Sequence, residues 1–172
     1  YAVRVTAVGP NPDGLAFAGG KLYVANSGGL NYPNYGNTVS VFDLATFTPI
    51  TEITVGLNPM RVASDAYGDV YVVCNGNYND ISGCMQRIDS QTDEVVQIFD
   101  FPVTNLAICG DFAYLYYYSY SNQQSQVSVL NVFDETMVKK NFITDGTNIQ
   151  TPYGIAVNPM NGDVYISDSS RF

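Results

Sequence analysis

Tyrosine and side-chain amides gather in three stretches of a chain otherwise short of reactive groups: NSGGLNYPNYGN at 26–37, NGNYNDISG at 75–83 and YYSYSNQQSQ at 117–126. The chemistry they offer is recognition. A tyrosine ring supplies wide, rigid contact area with a polar tip, and asparagine and glutamine supply adaptable donors and acceptors. The stretches hold Tyr32, Tyr35, Tyr78, Tyr117, Tyr118 and Tyr120, six of the chain's fourteen tyrosines. With Asn31, Asn34, Asn77 and Asn79 they suit a large, polar, mostly uncharged ligand. The plain alternative for any one loop is a solvated turn, with glycine and asparagine chosen for positive φ.

Catalysis has fewer footholds. The chain contains no histidine, so it carries no Ser-His-Asp triad, Cys-His dyad or imidazole metal site. Asp93–Glu94 and Asp134–Glu135 pair carboxylates, but in or beside turns, where solvated charge is the ordinary role. Asn75, Asn77, Asn79 and Asp80 alternate oxygens as a calcium loop does, yet Gln86 stands at the twelfth position, where a bidentate glutamate is needed. Asp43 and Asp89 end equivalent strands and read as turn caps. Cys74 and Cys84 lie at the two ends of one loop, on strands expected to be antiparallel neighbours. They read either as small buried thiols or as a cross-hairpin disulfide in an oxidising compartment. Cys109, in the apolar run 106–109, reads as a buried thiol.

Sixteen acids against seven bases give a net charge of −9, and the bases are scattered. Phosphate backbones and anionic lipid surfaces are poor partners for such a chain, so no nucleic acid is expected. At 46% hydrophobic content, the 172 residues suffice for one packed domain. No apolar run approaches the roughly 20 residues of a membrane-spanning helix. The chain opens on Tyr1 within a strand pattern and without an initiator Met, so the lack of a signal peptide says nothing about compartment.

The elements that position the loops are repeats. LYVANS (22–27), VYVVCN (70–75) and VYISDS (164–169) align, with FAYLYY (112–117) as a degenerate copy, each after a glycine turn. TVSVFDLAT (38–46), CMQRIDSQT (84–92) and QVSVLNVFD (126–134) form a second set. TAVGPNP (6–12) and TVGLNPM (54–60) lead into new copies, as does the longer DGTNIQTPYG (145–154). A period of 42 to 50 residues with four short strands is that of a β-propeller blade. No segment has a useful 3.6-residue apolar period. The expected fold is therefore all-β, with four-stranded antiparallel blades at 10–56, 57–102 and 103–147. Residues 148–172 supply the first two strands of a further blade, and 1–9 the outermost strand of a preceding one. Each tyrosine-rich stretch then links the second and third strands of its blade, which places all three on one face. Arg61 and Tyr153, at the entries to their blades, are expected on the same side.

LYVANS, NTVSVFDLAT and ITEITVGLNPMRVA together resemble the YVTN-type surface-layer β-propeller repeat across essentially the whole chain. LYVANSGGLNYPNYGNTVSVFDL and NFITDGTNIQTPYGIAVNPMNGDVYISD are more closely similar to propeller lipoproteins on the outer membrane of gut Gram-negative bacteria. Some of those resemble cobalamin-capturing partners of an energy-coupled vitamin B12 transporter. The resemblance implies seven blades, of which this chain holds about three and a half. The rest come from the same gene product or a second chain, or the chain closes as a small four-bladed ring. It also implies a non-enzymatic cell-surface lipoprotein, anchored to the outer membrane, that captures cobalamin for a TonB-dependent transporter barrel, with no cofactor required. A surface-layer or protein–protein interaction scaffold and a glycan-binding propeller are the alternatives. A propeller lactonase or lyase is disfavoured, because such sites use histidine or a calcium-bound carboxylate cluster at the axis.

Overall fold

The computed structural model describes residues 3–143 and 145–170. Its strands form antiparallel meanders, and among the described residues there is no helix. β1 (Pro12–Ala18), β2 (Lys21–Asn26), β3 (Thr38–Asp43) and β4 (Pro49–Thr54) make the first sheet in chain order. β5 (Pro59–Ser64), β6 (Asp69–Cys74), β7 (Cys84–Asp89) and β8 (Glu94–Phe99) make the second. β9 (Asn105–Cys109), β10 (Phe112–Ser119), β11 (Gln124–Asn131) and β12 (Met137–Lys140) make the third. β13 (Pro152–Val157) pairs with β14 (Val164–Asp168) in a two-stranded sheet. A four-stranded antiparallel meander of this kind is a propeller blade, and the last sheet holds the first two strands of one.

The chain divides into two compact units. The first takes residues up to Ser64 and Gly68–Pro102; the second takes Asp65–Tyr67 and everything from Val103 onward. In the first unit, β2 and β6 are buried along nearly their whole length, and the outer β4 and β8 are largely exposed. That gradient explains the sequence patterns. LYVAN and VYVVC run apolar because both of their faces are covered, whereas EVVQIF alternates because one face is wet.

One continuous core joins the first two sheets: Tyr23, Val39 and Val41 pack with Val70, Val72 and Ile88. Each such side chain contributes about 1.5–3 kcal/mol of burial. A polar tie reinforces the join. Asp93, in the turn between β7 and β8, takes Lys21 Nζ at 2.6 Å on one oxygen and the Tyr23 hydroxyl at 2.6 Å on the other. Burial first, and the Asp93 carboxylate second, push the Tyr23 phenol well above its ordinary value. Asp93 is thus a structural ion pair and not the solvated turn charge expected from the sequence.

Residues 3–8 form no strand, contrary to the expected outermost strand at 1–9; Tyr1 and Ala2 lie outside the described residues. A strand persists only where a neighbour takes its backbone groups, and no described strand pairs with this stretch. Val8 packs instead on Leu22, Val24 and Phe42, and the Arg4 guanidinium donates to the Ala45 carbonyl at 2.6 Å.

Candidate functional site

The first two tyrosine-rich loops rest on a repeated backbone device. Asn11 and Asn58, each before a proline, both adopt positive φ, a conformation asparagine tolerates better than most residues. This turns two successive carbonyls toward the incoming loop. Pro10 and Asn11 accept the N–H groups of Gly28 and Ser27; Leu57 and Asn58 accept those of Gly76 and Asn75. The Asn58 N–H in turn donates to the Gly36 carbonyl at 2.7 Å, so the 57–58 segment touches both loops. The signal for this was in the sequence, in the paired GPNP and GLNP, but its role as a loop floor was not read from it.

Glycines close the necks. A Cβ on Gly28 would stand 2.3 Å from the Gly36 nitrogen, and one on Gly36 would stand 2.3 Å from the Asn26 carbonyl oxygen. A Cβ on Gly76 would stand 2.0 Å from the Ile81 carbonyl oxygen. The loops are therefore built structures. Asn31 and Asn34 carry 26–37 through successive backbone bonds, Asn31 N–H to the Gly28 carbonyl and Asn34 N–H to the Asn31 carbonyl. In 75–83, the Asn77 amide oxygen accepts the N–H groups of Asn79 and Ile81 at 3.0 and 2.9 Å.

On this scaffold three tyrosines meet edge to face. Tyr32 and Tyr35 have ring centroids 6.0 Å apart, and Tyr35 and Tyr78 6.2 Å, so the chain of rings crosses from one loop to the other. Such pairs contribute about 0.5–1.5 kcal/mol each beyond area burial. Tyr32 and Tyr78 are 76% and 63% exposed, so rings held in place still present most of their surface to solvent. Tyr78 has φ of 59°, unusual for a bulky residue, and its hydroxyl reaches Met60 Sδ at 3.6 Å. Backbone of this kind costs about 1–3 kcal/mol and persists only where its surroundings enforce it; here the Asn77 turn does so. Asn31, Asn34 and Asn79 of the same loops are exposed, and Asn77 is half-buried.

The calcium reading of 75–83 is not supported by this geometry. The Asn77 oxygen is occupied by backbone donors, so its amide nitrogen faces Asp80, donating at 2.7 Å. That hydrogen bond is the main cause holding the Asp80 carboxyl below its ordinary value. Gln86 is buried and accepts the Gly56 N–H at 2.9 Å. Arg61 pairs with Asp13 at 2.6 Å, both partly exposed, a pair of at most about 1 kcal/mol. Asp43 accepts Thr46 N–H and hydroxyl at 2.7 and 2.8 Å, and Asp89 accepts Gln91 N–H at 2.7 Å, so both cap turns as their repeat suggested.

In the second unit the third stretch differs from the expected ten-residue loop. β10 and β11 continue through it, pairing Tyr117 with Gln126, Tyr118 with Ser125 and Ser119 with Gln124. Only 120–123 remain as a turn. Tyr117 and Tyr118 favour a pleated strand, and no glycine here pinches the neck. Tyr118 and Tyr120 pack edge to face at 4.8 Å, and Tyr120 is exposed. Tyr153 lies within β13 rather than in the link before it. It occupies the irregularity between Pro152 and Gly154, with an exposed ring and a carbonyl accepting the Tyr116 hydroxyl at 2.5 Å. Cys109 is half-buried rather than fully buried.

No protein-family model matches the chain, and no curated protein matches it. Solved structures do. A Kuenenia stuttgartiensis hydrazine synthase chain matches with a TM-score of 0.70 at 21% identity, over 90% of this chain and 43% of that one. The dihydro-heme d1 dehydrogenase NirN, in complex with DHE, matches with a TM-score of 0.55 at 18% identity, over 70% of this chain and 25% of that one. This chain therefore spans less than half the length of either neighbour. Together with the meander sheets, these likenesses establish the fold as a β-propeller, of which the chain covers a part.

Proposed function

We propose that this protein is a non-enzymatic ligand-binding propeller whose tyrosine-bearing loops hold a bulky, polar, largely uncharged molecule. One observation carries the reading: the Tyr32–Tyr35–Tyr78 chain, exposed at Tyr32 and Tyr78 and half-buried at Tyr35, which crosses two loops locked to a common backbone segment. Rigid aromatic surface loses little entropy on binding, and the neighbouring asparagines offer donors and acceptors without a charge to desolvate. Cobalamin is the ligand named by the resemblance to outer-membrane propeller lipoproteins. On that reading the chain forms part of a seven-bladed ring at the cell surface and passes the vitamin to a TonB-dependent barrel. Titration calorimetry with cyanocobalamin tests this. Heat of binding together with a change in the corrin spectrum at micromolar concentration is expected; the absence of both would defeat the corrinoid version, and a glycan array then separates sugars from vitamins.

A second reading, a surface-layer or protein-interaction scaffold, draws on Leu30 and Ile81. Both are exposed apolar residues on the same two loops, of the kind that protein interfaces bury. It expects co-purification with a surface partner and no small-molecule affinity.

A further inference from the structure

Cys74 ends β6 and Cys84 begins β7, and the two are direct cross-strand partners. The equivalent pair in the first blade is Asn26 and Thr38, whose side chains meet across the strands at 3.0 Å. Side chains at this register position therefore reach each other. Gly56 locates the sulfurs: a Cβ placed there would lie 2.8 Å from Cys84 Sγ and 3.1 Å from Cys74 Sγ. Both thiols thus converge on the space that this glycine leaves open, and they are hydrogen-bonded to each other. Opposed Cβ atoms in a ladder stand about 4.5–5.5 Å apart, and a disulfide needs about 3.8 Å, so a small inward movement suffices. Among the described residues no group of three Cys, Asp or Glu forms a metal cluster, so the pair offers dithiol chemistry.

We propose that Cys74 and Cys84 are a disulfide-forming site that covalently closes the neck of the 75–83 loop, the loop that carries Tyr78. The co-reactant is an external low-molecular-weight disulfide. The Cys84 thiolate attacks it, forming a mixed disulfide and releasing one thiolate of the reagent. Cys74 then loses its proton to solvent, and its sulfur attacks Cys84 Sγ, expelling the second reagent thiolate. Two protein thiols are oxidised to one disulfide, and one external disulfide is reduced to two thiols. The roles follow from exposure: Cys84 is partly open to solvent, whereas Cys74 is buried. Hydrogen bonding from the Cys74 thiol lowers Cys84 to about 7, which favours its thiolate near neutrality.

The test uses oxidised glutathione on the folded protein and on its Cys109→Ser variant, which leaves the pair intact. The expected product is a monomer lighter by two hydrogens, with a 74–84 cross-linked peptide and no thiol left to alkylate in Cys109→Ser. The Cys84→Ser variant is expected to stop short of the intramolecular product. Two alkylatable thiols persisting in folded Cys109→Ser after exposure, or a bond between two chains in place of 74–84, would overturn the proposal. Neither result depends on whether the loops bind a corrinoid.

Discussion

The loops at 26–37 and 75–83 and the hairpin at 117–126 occupy the same place in their repeats and share a composition, yet they are built by different rules. In the first unit, glycines let backbones approach at the neck, and a positive-φ asparagine and the residue before it each offer a carbonyl to the loop above. The chain is forced out of the ladder and into a compact platform. In the second unit there is neither device: Thr104 uses its side-chain oxygen to accept Tyr118 N–H at 3.0 Å, and the two strands keep pairing up to the turn at 120–123. Composition marks a place in the chain as suited to recognition. Whether it becomes a platform or an extended ladder depends on a few backbone-specifying residues below it.

The strongest way to break that difference is to fill a neck. Gly76→Ala places a methyl against the Ile81 carbonyl at positive φ, and urea unfolding should show a loss of about 3 kcal/mol. In the hairpin, Gln123 already holds positive φ without a pinch, so Gln123→Gly should change stability by no more than about 1 kcal/mol. A similar contrast separates the ties between sheets. Asp93→Ala leaves the Tyr23 hydroxyl without its acceptor and Lys21 with only the Ser90 carbonyl, both in mostly buried positions, and should cost about 3 kcal/mol. Tyr116→Phe, which removes the neutral hydrogen bond to the Tyr153 carbonyl and the long one accepted from the Asn105 amide, should cost about 1 kcal/mol.

Alkaline titration sharpens the contrast further. The Tyr23 phenol is raised above 10.0 in the folded chain, so between its unfolded and folded values the native state binds more protons than the unfolded state. Its contribution to stability is complete below pH 10 and is lost as pH rises beyond that, and Tyr23→Phe should flatten this part of the profile. On the acid side the effect is smaller. Asp168 is desolvated, which works against ionisation. Donors from Ser170, Gln150 and Thr151 outweigh that and hold its carboxyl below 3.8. The second unit should therefore lose this contribution only as pH falls below 3.8, and Asp168→Asn should remove this part of its acid loss.

Much of the fold was legible in the sequence because blades repeat, and a repeat shows its strands by self-similarity. LYVANS and VYVVCN became β2 and β6, and Asp43 and Asp89 became turn caps. The strand pattern in 3–8 misled, because β-propensity carries no information about whether a ladder partner exists. The hairpin at 117–126 misled in the opposite way: its polar residues looked like a loop, but tyrosine, serine and glutamine also alternate well across a ladder. Asp93 looked solvated because its partners, Lys21 and Tyr23, lie some seventy residues away in the chain. The aromatic chain was visible only as composition; that Tyr35 lies between Tyr32 and Tyr78 depends on both loops resting on one segment.

Ligand recognition is proposed for the built loops of the first unit, and titration calorimetry of cyanocobalamin into wild type, Tyr78→Ala and Tyr120→Ala puts it at risk. Wild type should bind, Tyr78→Ala should lose affinity by about tenfold or more (1.4 kcal/mol), and Tyr120→Ala should lose less. Binding that is unchanged in Tyr78→Ala, or weakened most in Tyr120→Ala, would overturn the proposal.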